Sequence, residues 1–197
     1  WMEVDSWSPD LLTGGTRGLF AGGGPSNKNI IDYVTISTTG NAIDFGDLTV
    51  GRTSHAGCSS RTRGLFGGGY SPLISIDFVT IASTGDAADF GDLTGSVRER
   101  IASTSNQTRG LFAGLGQDPA TVSNVIDYVT IASTGDAVDF GDLTVGRGRF
   151  SGCSSPTRGV FLAGTTPNSS TASNHIDYVT ISTLGNAADF GDMTVNS

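Results

Sequence analysis

Short apolar runs closed by glycine return along the chain as RGLFAGG from Arg17, RGLFGGG from Arg63, RGLFAGL from Arg109 and RGVFLAG from Arg158. Runs of this length stopped by glycine predict buried strands. Each is followed by a segment such as DYVTI from Asp32, whose β-branched and aromatic residues suit a pleated surface packed on both sides. Then TTGN, STGD or TLGN sets glycine before Asn or Asp, residues that tolerate positive φ, and predicts a tight hairpin turn. The segment after the turn, AVDFGDLT from Ala137 in the third copy, is expected to return antiparallel. A fourth short strand is carried by RTSHAGCSS from Arg52, RERIASTS from Arg98 and RGRFSGCSS from Arg147. No segment of ten or more residues carries a helical period.

The pattern is a repeat. TRG stands at Thr16, Thr62, Thr108 and Thr157, and DFGD at Asp44, Asp89, Asp139 and Asp189, with spacings of 45 to 50 residues. That period matches propeller blades and exceeds leucine-rich or ankyrin units. Four strands per unit, four units and no helices predict an all-β fold, a β-propeller of four four-stranded blades, because radial repetition protects sheet edges. A β-solenoid is second, since its rungs are usually far shorter. One domain over 1–197 divides into blades at about 7–50, 51–95, 96–146 and 147–197. SPDLLTGG from Ser8 aligns with TSHAGCSS from Thr53, so the N-terminal segment is expected to supply the inner strand of blade one. With no strand left over, a ring closed by side-chain packing alone is expected. The alternative is an open arc of a larger propeller, continued by further sequence or another subunit. Phe45, Phe90, Phe140 and Phe190, with Leu48, Leu93, Leu143 and Met193, should pack between blades.

A Gly-Gly pair closing an apolar strand, a β-rich segment, an aromatic followed by Leu-Thr, and an Arg opening the next strand together resemble the kelch repeat. The resemblance spans nearly the whole chain from about Trp7. It departs where Phe45, Phe90, Phe140 and Phe190 replace the kelch tryptophan, and where the glycine pair becomes Gly114-Leu115 or Ala163-Gly164. RGLFAGG with DYVTIASTG and DFGDLT is also similar to repeat proteins of tailed phages, which implies a virion or extracellular setting.

Composition narrows the chemistry. With 11 Lys and Arg against 19 Asp and Glu the net charge is −8, which disfavours nucleic acid and anionic membrane surfaces. No apolar run approaches the roughly 18 residues needed to span a bilayer. No signal peptide is read, and Trp1 in place of an initiator Met points to a processed or incomplete chain. Cys58 and Cys153, in AGCSS and SGCSS, are read as small buried thiols on equivalent strands. Two Cys and two His in unrelated segments supply neither a zinc nor a copper ligand set.

The repeated carboxylates of the Asp32, Asp44 and Asp47 types have two readings. Asp44 and Asp47 could ligate calcium or serve as a glycosidase pair. The preferred reading is structural: they accept backbone N–H bonds at strand ends and pair with an arginine of the next blade. Asp-Phe-Gly is repeated four times without a kinase His-Arg-Asp loop, and GLFAGGG precedes no helix that could bind phosphate. His55, the one histidine near a Ser-Cys motif, is read as an ordinary inner-strand residue. No enzymatic activity, cofactor or metal is therefore expected.

Variation concentrates in the connection after the glycine-ended strand: PSNKNI from Pro25, YSPLIS from Tyr70, QDPATVSNV from Gln117 and TTPNSSTASNH from Thr165. In a four-stranded blade this connection shares one end with the blade-to-blade link, while the two constant turns share the other. Loops on a rigid frame are where recognition usually resides. The variation reads either as neutral drift in solvent or as a binding face for a polar ligand, glycan or protein; on the second reading the candidate binding residues are Pro25, Asn27, Lys28, Asn29, Tyr70, Gln117, Asp118, Asn168 and His175. The expected function is a structural or adhesive module that binds a virion or assembly protein, or a host surface glycan. No nucleic acid or membrane insertion is expected, and a homo-oligomer is compatible. Alternatives are an intracellular kelch-type scaffold and, behind it, a carbohydrate-active enzyme.

Overall fold

A computed structural model describes residues 16–70, 73–118, 121–166 and 173–194. It is all-β, with four antiparallel sheets in sequence order. The first holds β1 (Arg17–Ala21), β2 (Ile30–Thr35) and β3 (Ile43–Asp47). The second holds β4 (Ala56–Ser59), β5 (Arg63–Gly67), β6 (Ser75–Thr80) and β7 (Ala88–Asp92). The third holds β8 (Ala102–Ser105), β9 (Arg109–Asp118), β10 (Thr121–Thr130) and β11 (Val138–Asp142). The fourth holds β12 (Ser151–Ser154), β13 (Arg158–Leu162), β14 (His175–Thr180) and β15 (Ala188–Asp192). The inner strand expected of blade one falls in residues 1–15, outside the described residues. Inner strand β8 lies beside both β4 and β12, so successive sheets stack in a propeller-like manner.

The core lies between sheets. Phe45, Leu48 and Ile31 of blade one meet Phe66 and Val79 of blade two. Phe90 and Leu93 meet Phe112, Val129 and Ile131, and Phe140 and Leu143 meet Phe161, Val179 and Ile181. Phe45, Phe90 and Phe140 each occupy a bulge. Ile31 pairs with Gly46 and Asp32 with Asp44, so Phe45 stands opposite no residue; the same shift recurs at Ile76/Asp77 and Ile126/Asp127. The extra residue bends the outer strand. The glycine after it meets the neighbouring blade: a Cβ on Gly46 or Gly91, at φ 144 and 142, would lie 2.5 Å from the backbone of Gly85 or Gly135.

Three hydrogen-bond sets repeat at each junction. Gly85, Gly135 and Gly185 donate to the carbonyls of Phe45, Phe90 and Phe140. The backbone N–H groups of Asp47, Asp92 and Asp142 donate to the side chains of Asp86, Asp136 and Asn186. Arg17, Arg63 and Arg109 stack on their own blade's Tyr33, Phe78 and Tyr128 and donate to Ile81, Ile131 and Ile181 carbonyls of the next blade. The turn Asn or Asp thus serves as an acceptor for the preceding blade, while positive φ in the turn falls on Gly85, Gly135 and Gly185.

Several expectations are corrected. Ring closure is not seen among the described residues: Phe190 is 55% exposed, Phe20 62% and Ile36 68%, and no fourth junction forms there. Phe190 lacks the neighbour that buries its counterparts. The carboxylate that meets arginine is the Asp32 type and not Asp44 or Asp47: Arg52–Asp77, Arg98–Asp127 and Arg147–Asp177 are buried pairs within blades two, three and four. Asp44, Asp89, Asp139 and Asp189 are exposed, because the bulge turns the buried face to the adjacent Phe. The thiols differ as well. Cys58 lies against Gly110 of blade three, and burial pushes it up to about 12; Cys153 is exposed for want of a following blade.

Candidate binding face

At one end of the blades the β1–β2, β5–β6, β9–β10 and β13–β14 connections meet the blade-to-blade links. Buried guanidiniums hold this end. Arg52 donates to the carbonyls of Phe66, Gly68 and Ser75 and pairs with Asp77 at 3.0 Å. Arg147 donates to the carbonyls of Phe161 and His175 and pairs with Asp177 at 2.7 Å. Arg98 donates to Gly114 and pairs with Asp127. Each carboxylate is also gripped from the preceding blade: the N–H and hydroxyl of Thr49, Thr94 and Thr144 donate to Asp77, Asp127 and Asp177. Burial draws Arg52 and Arg147 below the usual guanidinium range, and Asp77 and Asp177 oppose that shift. A buried charge needs pairing of this kind to be tolerable, and of these guanidinium groups Arg147 leaves its Nε without a partner.

The glycine-ended strands complete the frame. Gly23 and Gly69 donate to the carbonyls of Arg52 and Arg98 across the junction, and Leu115 to that of Arg147. Gly22, Gly68 and Gly114, at φ 69, 70 and 78, let those arginine carbonyls approach where a Cβ would collide. Ala163 takes this position in blade four at φ 66, and no following blade is there to meet it.

The candidate residues are placed as follows. Pro25, Asn27, Lys28 and Asn29 are exposed in the turn after β1, with Gly24–Pro25 cis and Asn27 at φ 44. The turn is braced: Lys28 donates to Gly23, Arg52 donates to Lys28, and Leu48 donates to Asn29, all through backbone. Thr53 draws two candidates together, its hydroxyl donating to Asn27 Oδ1 at 3.1 Å and its carbonyl accepting from Tyr70 N at 2.8 Å. Tyr70 is half exposed. Gln117 and Asp118, expected in a loop, end strand β9, because Leu115 replaces the second glycine and the β-forming Val122 and Val125 extend the hairpin. His175, also expected in a loop, opens β14, exposed, with Nδ1 3.6 Å from Asp192. Asn168 lies outside the described residues. Asn27 and Tyr70 are thus brought together, while His175 stands three blades from Asn27.

Two features of this end escape the sequence reading. A shallow groove runs between the link into blade three and the β9–β10 hairpin, floored by Val97, Leu115 and Val125 and edged by Ser96 and Ser123. Nearer the axis, Ser54, Arg100 and Arg149 adopt φ of 57, 52 and 59 at equivalent positions, and Arg100 N donates to Ser54 O as Arg149 N does to Arg100 O. They rim a depression lined by His55, Ile101 and Phe150. Their alignment two residues after Arg52, Arg98 and Arg147 was the available signal. His55 fills the site of Ile101 and Phe150, edge-on to Phe66. Desolvation first, then the nearby Arg52 charge, lower its pKa to about 4.

Among the described residues no three His, Cys, Asp or Glu side chains converge to hold a metal ion, and no helix is long and apolar enough to cross a membrane. A scan of the sequence against models of known protein families finds no match, and a search of curated proteins finds no significant relative.

Proposed function

We propose that the chain is a non-enzymatic, kelch-like β-propeller module, structural or adhesive, in which the variable end of the blades binds a partner protein or surface glycan. The observation that carries this reading is the asymmetry of the two ends. One end repeats its hairpin turns almost unchanged. The other carries connections that differ in every blade yet stand on a frame of buried arginine–aspartate pairs. A rigid frame lowers the ordering cost of loops on binding. The groove floored by Val97, Leu115 and Val125 and edged with hydroxyls suits a partner that offers both apolar and hydrogen-bonding groups. The phage resemblance of the repeats supports a setting on a virion or tail, where a neighbouring structural protein or a host glycan would be the partner.

Grafting the blade-two connection 70–75 in place of 165–175, together with Val97→Asp in a second variant, tests the reading. Loss of adsorption to host cells or immobilised glycans is expected with the fold retained. Adsorption equal to the parent in both variants would remove this face from consideration. An intracellular scaffold would use the same face, and imaging of the intact virion with a labelled chain separates the two settings.

A further inference from the structure

We infer that the two end faces of this four-sheet stack bind one another between copies, so that the chain associates head to tail through a fourth junction of the same design as its three internal ones. The inference is independent of the binding-face reading. Its basis is that both halves of a junction are present and unpartnered at opposite ends of one molecule.

The trailing half lies on blade four. Phe190 occupies the bulge position of Phe45, Phe90 and Phe140, which are 2% exposed, but is itself 55% exposed. A Cβ on Gly191 would meet nothing within 4 Å, whereas those on Gly46, Gly91 and Gly141 meet a neighbouring turn. Cys153, equivalent to Cys58, is exposed. The leading half lies on blade one. Phe20 and Ile36 are 62% and 68% exposed, against 7% and 8% for Phe66 and Ile81. Among the described residues, Asp32 meets no threonine of the kind that grips Asp77, Asp127 and Asp177, and Asn41 accepts no backbone N–H as Asp86, Asp136 and Asn186 do. Seated on a second copy, Phe190 would enter the site between Phe20 and Val34, as Phe45 sits against Phe66 and Val79. Arg158, stacked on Tyr178 at 4.7 Å, would reach the Ile36 carbonyl as Arg109 reaches that of Ile181.

Such an interface joins two different surfaces and therefore extends from copy to copy, closing only if the accumulated rotation returns to the start.

Sedimentation velocity on the whole chain at rising concentration is expected to show mass increasing in steps of one protomer. Phe190→Asp removes the trailing face and Ile36→Asp the leading face, so each variant alone should be monomeric. Mixed, they retain one competent face each and should form dimers and nothing larger. Both substitutions fall on exposed side chains, and circular dichroism checks that the fold persists.

A covalent trap gives an independent reading. At the internal junction Cys58 Sγ lies 2.7 Å from the position of a Cβ on Gly110, and a Cβ on Gly18 would meet only Val34 and Ile36, at 3.5 Å and beyond. With diamide as oxidant, Gly18→Cys should therefore form an intermolecular disulfide with Cys153, abolished by Cys153→Ser. A monomeric parent at every concentration, a mixture that fails to dimerise, or a disulfide confined within one chain would overturn the inference.

Discussion

At the residue scale, identical side chains carry different weight according to what lies beyond them. Phe140 is buried against Phe161 and Val179, whereas Phe190 stacks only on Tyr178 of its own blade and faces outward. Phe140→Ala should cost about 3 to 5 kcal/mol, and Phe190→Ala far less in dilute solution, as read by urea denaturation. A comparable loss at both sites would refute the placement of the free face. His55 has a pH signature. Its folded pKa of about 4 lies below the 6.5 of an unfolded histidine, so as pH falls the unfolded chain takes up the proton first. Stability present above pH 6.5 is then lost progressively towards pH 4. His55→Phe, matching Phe150, should flatten this part of the stability curve relative to the parent; parallel curves would show that His55 is not held neutral. The residue-level chemistry of the carboxylates was only partly legible, since Asp32, Asp44 and Asp47 repeat equally well and repetition does not say which one turns inward.

At the scale of elements, the bulged outer strand is the device that joins blades. It sets Phe45 between sheets and carries Gly46 against the next hairpin turn at φ 144. The strained backbone is common to every copy, but the close contact is not. Gly91→Ala and Gly191→Ala share the cost of an alanine at positive φ, while only the Gly91 Cβ would lie 2.5 Å from the carbonyl of Gly135. Thermal unfolding should therefore show a larger loss for Gly91→Ala, and equal losses would mean that turn and bulge do not touch. The strands themselves were readable because short apolar runs, β-branched segments and glycine stops are local signals. The β9–β10 hairpin was not: a connection rich in Ser, Thr and Pro reads as loop, and only pairing with the extended partner makes it strand.

At the scale of the molecule, stability is expected to be distributed along the stack, each blade supported by its immediate neighbours as in other repeat architectures. Buried arginines occupy the charge-bearing centres of blades two to four, and the Asp44-type carboxylates point to water singly. Neither calcium nor EDTA should therefore shift the melting temperature, because a ligand stabilises only what binds it in the folded state. A rise of several degrees with calcium would reinstate the carboxylates as a metal site. The excess of acidic residues keeps the surface negative, with Arg100 and Arg149 as a local exception at the axial end of the variable face.

The sequence by itself determined most of the strands, the number of sheets and the phenylalanines that mark the three internal junctions, because these follow from local signals repeated along the chain. Only the tertiary structure decided which aspartate meets arginine, and that Phe20, Ile36 and Phe190 stand exposed where their counterparts are buried. Those outcomes depend on a bulge that reverses the facing of one strand and on whether another sheet lies within van der Waals reach. Neither is encoded at the position it affects.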